Sequence, residues 1–338
     1  MPLLVFILAV CLLPGFGKML KVLTEPANPT IVEAAGDELY ILDDVFVYVY
    51  SLKDYKLLRK FGKKGEGPGE LYTTPDMPVT MQVLDKAIIL NSFNKIIYFS
   101  KAGQMIKEKR IPFIAFQVIP FGKNYVVTKF NRDSSGSSKA AVLLFDQDFK
   151  EIKKLYENNL LNEMRKGKIA VPLANIFAKC SGNRVFVFDQ QRDFFIDVFD
   201  LNGKKLAPVT MDYRKLKVNE AFKKKYMDWL KVQPAFKTVM EVIKDMIYFT
   251  EYLPVVRNAK IMNQQLIVQT YKMQDQRCEF FMLDLKGNIK KQVFLPGADR
   301  EQIRPNPAAV YTFRGNTYYY LIENVDKEEW ELHSQDIK

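Results

Sequence analysis

Residues Phe61 to Leu71 read FGKKGEGPGEL, with four glycines, two lysines and two glutamates in eleven positions. Glycine-rich runs cradle phosphate when their backbone amides converge on one point. A Walker loop must end in Gly-Lys-Ser/Thr, and a dinucleotide fingerprint must run Gly-x-Gly-x-x-Gly into a helix. Here Pro68 and Glu70 stand where phosphate contacts would fall, and a strand-like stretch follows. The run is therefore read first as connecting architecture, with an anion nest as the alternative.

Other chemistry is sparsely supplied. His333 is the single histidine, so His-based zinc sites and Ser/His/Asp or Cys/His catalysis have little to work with. Cys180 and Cys278, both in strand-like segments, are read as packed thiols rather than a disulfide framework. Six polar stretches interrupt apolar runs: Asp43-Asp44, Asn91 to Asn94, Asn131-Arg132-Asp133, Asp189 to Asp193, Gln274 to Arg277 and Asn324 to Asp326. From these the ligand-binding candidates are Asp43, Asn91, Arg132, Asp189, Arg192 and Gln274. Turn chemistry alone also selects Asp and Asn at such places. Calcium would suit carboxylates and amides without histidine, but no Asp-x-Asp-x-Asp-Gly loop is present. No catalytic residue, metal ligand or cofactor is assigned.

The elements that would position these residues recur. A tight turn followed by an apolar strand occurs six times: AAGDELYIL from Ala34, VLDKAIIL from Val83, PFGKNYVV from Pro120, CSGNRVFVF from Cys180, IMNQQLIV from Ile261 and FRGNTYYYL from Phe313. Gly, Asn and Asp tolerate the positive φ of tight hairpins, and the stretches that follow are rich in β-branched and aromatic residues. Pro29, Pro78, Pro112, Pro172, Pro254 and Pro307 precede the copies in register, as suits residues that cannot donate to a ladder. Most copies continue into a further strand, a polar turn and a more charged strand. One unit is thus four strands, and radial repetition of such sheets makes a β-propeller. Six copies predict an all-β, six-bladed β-propeller. The last copy ends without an outer strand, so Met19 to Leu23 is expected to close the ring. A two-sheet sandwich with a helical insert is the runner-up fold.

The glycine run, hairpins such as Val198-Phe199-Asp200-Leu201-Asn202-Gly203-Lys204, and the apolar N-terminus together resemble the bacterial six-bladed propellers related to NHL-repeat and TolB-like proteins. The resemblance covers nearly the whole chain after the first residues. It implies the fold, and a Gly-x-x-Gly-x-Gly-Pro-Gly-Glu run after an early blade, far more than it implies an activity.

In such a ring the crossovers between blades share one face with the tips between the middle strands. Every long insertion here is a crossover: Gly62 to Pro78, Glu157 to Pro172, Tyr213 to Pro254 and Pro296 to Pro307. Repeat proteins tend to collect insertions on their binding face. The largest, about residues 214–250, falls between blades four and five and reads as helical. Asn219 can cap a segment carrying Phe222, Tyr226, Trp229 and Leu230, and Phe236, Val239, Met240, Ile243 and Ile247 make a second stripe.

The apolar run Leu3 to Leu13, followed by Pro14 and small residues, reads as a secretory signal cleaved near Gly17 and too short to span a bilayer. Residues 1–17 are expected to leave a single propeller domain over 18–338. The location expected is periplasmic or extracellular, with lipid anchoring through Cys11 as a lesser alternative. The net charge of +11 comes from scattered lysines, whereas nucleic-acid binders gather charge in one stripe. Nucleic acid is not expected as a partner; loose association with an anionic membrane surface is compatible with the charge. The leading reading is a monomeric, exported binding or scaffold module, not an enzyme, whose ligand is a protein, peptide or glycan on the insertion-bearing face. The alternative is a propeller hydrolase of metal-dependent, lactonase-like type, or another propeller enzyme.

Overall fold

The computed structural model describes residues 17–74, 77–132, 138–158, 167–172, 174–233, 240–297 and 310–337. The leader expected over 1–17 and Cys11 lie outside these residues, save for Gly17.

Six four-stranded antiparallel sheets form the blades, joined by one additional two-stranded parallel sheet. The inner strands are Pro29–Ala35, Thr80–Val83, Gln117–Phe121, Ile176–Ser181, Val256–Met262 and Tyr311–Arg314. Each turns tightly into a second strand that is buried along most of its length, such as Glu38–Asp43 or Arg184–Asp189. Burial on both faces explains why these strands read as continuous apolar runs rather than as alternating ones. Their residues alternate between two blade interfaces. Val47 and Val49 of the first blade pack with Leu90 and Ile97 of the second, while Ile41 and Tyr48 pack with Leu321 and Leu332 of the sixth.

The outer strands carry much of the basic charge, and their lysines lie over aromatic rings of the neighbouring strand. Lys60 Nζ sits 4.2 Å from the Phe46 ring centre, and Lys107 Nζ 4.4 Å from that of Tyr98. The surplus of lysine is thereby spread around the rim of the ring.

The sixth blade closes as the sequence predicts. Lys18–Leu23 pairs antiparallel with Glu329–Asp336, setting Leu23 against Trp330 and Met19 against His333. Leu23 is fully buried in the core between the last blade and the first. His333 stacks on Tyr320 and has its Nδ1 3.3 Å from the Gly17 carbonyl oxygen and its Nε2 3.0 Å from Glu331 Oε2. It is a packed strand residue. Cys180 and Cys278 form no disulfide.

Between the fourth and fifth blades the chain is mixed rather than purely helical. Asn219 accepts a 2.8 Å hydrogen bond from the Phe222 amide and starts a helix, Glu220–Val232, that buries Tyr226 and Leu230. A four-residue helix, Met240–Ile243, and a 3₁₀ turn follow. Ile247, read from sequence as part of a helical stripe, instead opens a strand, Ile247–Phe249, parallel to Ile169–Val171 of the preceding crossover. Phe236 and Val239 of that stripe lie outside the described residues. The two crossovers thus share a small core of Ile169, Val171, Tyr226, Leu230 and Met240, and together they form a lid.

Candidate functional site

The glycine run is filled by its own side chains. Glu70 Oε2 accepts the Gly67 amide at 3.0 Å, and Glu70 Oε1 pairs with Lys63 Nζ at 2.7 Å. Those two contacts hold the Glu70 carboxyl below the usual carboxylate range. Glu108 Oε2 takes the Gly69 amide at 2.7 Å, and Lys95 Nζ donates to the Gly67 carbonyl at 2.8 Å. Gly62 comes within reach of the Val45 carbonyl, and its φ of +104° suits glycine. Amides that would cradle a phosphate already face carboxylates, so the run is structural connection.

The structure places the candidate residues in separate blades and in different settings. Asp43 is buried and accepts the Ala27 amide at 2.7 Å. Asn91 is buried within the strand Ile88–Ser92, its amide 3.4 Å from the Lys95 carbonyl. Asp189 accepts from Tyr156 Oη at 2.5 Å and from the Gln191 amide at 2.9 Å. Arg132 ends its strand opposite Ser138, and Gln274 is exposed opposite Arg277. These acids serve as turn and strand-end caps in separate blades. Among the described residues no group of three or more His, Cys, Asp or Glu side chains converges.

Arg192 lines a cleft. A cavity of about 280 Å³ is lined by Pro172, Gln190, Arg192, Lys215, Tyr248 and Tyr252, among others. Its walls come entirely from the fourth blade's tip and the two crossovers beside it. Gln190 forms the floor: its amide donates to the carbonyls of Val256 at 3.0 Å and Arg257 at 2.9 Å, and its Oε1 accepts the Asn175 amide at 2.9 Å. Arg192 Nη1 donates to Asp197 Oδ2 at 2.6 Å, and its guanidinium lies 3.7 Å from the Phe195 ring centre. Lys215 pairs with the exposed Asp193 and sits 5.9 Å from the Tyr252 ring centre. Thr250 anchors the far wall through its amide, 3.0 Å from the Val171 carbonyl. The result is a concave surface with two aromatic rings, two cations and proline edges.

A family model described as a six-bladed β-propeller, DUF5128, matches residues 25–209, more than half of the chain. The chain belongs to this family. Among solved structures, a DUF4221 member from Bacteroides vulgatus aligns at TM-score 0.51 and 8% identity over 95% of each chain. The β-propeller domain of Cps50 (Swd1) from Myceliophteria thermophila aligns at TM-score 0.43 and 10% identity, over 94% of this chain and 98% of that one. At such identities the likeness is one of fold. No curated protein sequence matches.

Sequence reasoning missed the cleft's other wall, Lys215, Tyr248 and Tyr252, because those residues lie in an insertion with no counterpart in the repeat. It also missed a buried network below the lid's root. Glu279, fully buried, accepts from Tyr213 Oη at 2.7 Å, Thr270 Oγ1 at 2.8 Å, Gln292 Nε2 at 2.7 Å and Lys272 Nζ at 3.1 Å. Burial pushes its carboxyl up, but these donors more than offset that and leave it below the ordinary range. Tyr213 is thereby tied to the fifth blade where the large crossover begins.

Proposed function

We propose that this propeller is a binding module whose cleft between the fourth and fifth blades receives an extended peptide segment of a partner protein. The observation that carries this reading is the cleft's construction from blade tip and crossovers alone. Ring-building strands stay out of it, so its lining can vary without cost to the ring. Tyr248, Tyr252 and the proline edges supply flat apolar area, and Arg192 and Lys215, each paired with an aspartate of the fourth blade, supply cations that a carboxylate side chain of the peptide can share. Peptides selected from a displayed random library should bind the wild-type protein. Arg192→Glu combined with Tyr252→Ala should weaken them at least about tenfold, which is about 1.4 kcal/mol. Lys123→Glu, in a hairpin turn on the opposite face, should not. Equal affinity for the cleft variant would overturn the reading.

The glycine run and the Phe-Asp hairpins support kinship with the bacterial NHL-repeat and TolB-like propellers. The apolar run Leu3 to Leu13 supports export, with cleavage near Gly17. Intact mass of protein secreted by its host reads the site directly, and a cytoplasmic species that keeps Met1 would end the export proposal.

A further inference from the structure

The six inner strands can be superposed on their turns. The residue two positions before the last residue of each strand or its turn pair is Glu33, Gln82, Ile119, Lys179, Lys260 and Thr312. These equivalent positions form one layer around the central bore. Lys260 Nζ, from the fifth blade, reaches past the sixth to donate to the Val32 carbonyl at 2.7 Å and to meet Glu33 Oε1 at 3.1 Å. Thr312 Oγ1 accepts the Ala34 amide at 3.1 Å, and Gln82 Nε2 donates to the Val118 carbonyl at 2.8 Å. The layer is thus stitched between several blades, whereas the apolar Ile119 and the cationic Lys179 make no such bond among the described residues.

Among the described residues Lys179 has no hydrogen-bond or ion-pair partner. Its ammonium sits 5.9 Å from the Phe177 ring centre. It is partly buried on the inner strand Ile176–Ser181. The charged and titratable groups that reach it are Lys260 on the neighbouring inner strand, Glu33 from the first blade, and adjacent Cys180. Two ammonium groups and one carboxylate leave this layer with one uncompensated positive charge, since Lys260 already takes Glu33. A nearby anion would favour the charged form of such a partly buried cation.

The geometry points to a monoanion site in the central bore, in which Lys179 Nζ, backed by Lys260, binds a halide or a small carboxylate. The site is separate from the lid cleft, and neither depends on the other. Burial, with Lys260's charge adding to it, holds the Lys179 ammonium down to about 8. Anion binding should therefore weaken as pH rises through that value, because the neutral amine offers no charge.

The test is thermal melting of the whole protein in sodium bromide or sodium formate, exchanged against sodium gluconate at fixed ionic strength. Gluconate, a bulkier polyhydroxylated anion, serves as the reference. At pH 6.5 a saturating rise in Tm of several degrees is expected with bromide and with formate. The rise should vanish in Lys179→Met and at pH 9.5. A response to bromide alone marks a halide site, and a response to formate alone a carboxylate site. The same rise in Lys179→Met, or no rise with either anion, would overturn the proposal. Should Lys179→Met fail to fold, anomalous scattering from bromide-soaked wild-type crystals decides. A peak within contact distance of Lys179 Nζ supports the site, and an empty bore overturns it.

Discussion

Two crossovers on the same face of the ring have been put to opposite uses. The glycine loop between the first and second blades spends its polar groups internally: Glu70 on Gly67 and Lys63, Glu108 on Gly69, Lys95 on Gly67. Leu71 at its end is fully buried in the core between those blades. The lid over the fourth and fifth blades has its own small core around Tyr226 and turns Lys215, Tyr248 and Tyr252 toward an open cleft, facing Arg192 of the fourth blade's tip. One crossover is part of the ring; the other rests on it. Topological position therefore says where a binding surface can be, and whether a crossover fills its space with its own side chains or leaves a cleft says which one has room for a ligand.

Ring closure sets the scale for variants in either crossover. Deleting Lys18–Leu23 removes the outer strand of the sixth blade and the buried Leu23 side chain. Several ladder hydrogen bonds at about 1 kcal/mol each, with the lost apolar burial, rival a total stability of roughly 5–15 kcal/mol. The truncated protein should aggregate or unfold at ambient temperature, read by circular dichroism. A stable fold without this strand would mean that blade six can close by other means.

Next in size is Gly62→Ala. A Cβ on Gly62 would lie 2.2 Å from the Val45 carbonyl oxygen, at a φ of +104°. Backbone cannot give way as a flexible side chain can, so a loss of about 3 kcal/mol or more is expected in denaturant melts. A loss under about 0.5 kcal/mol would show that this loop is as separable from the ring as the lid is.

Glu279→Gln probes the root of the lid, where Tyr213 meets the fifth blade. The carboxyl is held below its ordinary range in the folded state. Its contribution is therefore present above the unfolded-state pKa and is lost as pH falls through the folded-state value. The variant should be less stable by about 1.5–3 kcal/mol at neutral pH. That deficit should shrink on acidification below the ordinary carboxylate range, and a deficit unchanged with pH would locate the effect in packing instead.

The sequence carried the ring well because its signals repeat. Hairpin turns such as Gly36-Asp37 and Gly182-Asn183, prolines such as Pro29, and the missing outer strand after Glu329–Asp336 each follow from local chemistry. The cap at Asn219 is legible for the same reason. The pairing of Ile169–Val171 with Ile247–Phe249 is not, since three-residue strands show no alternation and their partners are distant in sequence. Ile247 falls at helical spacing from Ile243, which made a strand look like a stripe. Asp43, Asn91 and Asp189 were drawn as candidates by residue type, but residue type cannot distinguish a ligand from a strand-end cap. The bore layer was within reach: Lys179 and Lys260 follow an alanine at the same distance from their turns.

The smallest effect on the ring should come from Tyr226→Ala, and it is the variant that most sharply separates the two crossovers. Tyr226 is fully buried at the centre of the lid core, against Trp229 and Phe249. Truncating an aromatic of this size in a ring core costs about 3–5 kcal/mol. Among the described residues the lid core is built from the two crossovers, so its loss should be paid locally, by opening of the helix Glu220–Val232 and release of Ile247–Phe249 from Ile169–Val171. Limited proteolysis should then cut the variant between Tyr213 and Thr250 well before the wild type, while the main calorimetric transition stays within a degree or two. Peptide binding at the cleft should fall in parallel, since Tyr248 and Tyr252 lose their support. If the main transition instead drops by ten degrees, the lid is a structural part of the ring like the glycine loop, and the cleft is a by-product of bracing rather than a surface kept free for a ligand.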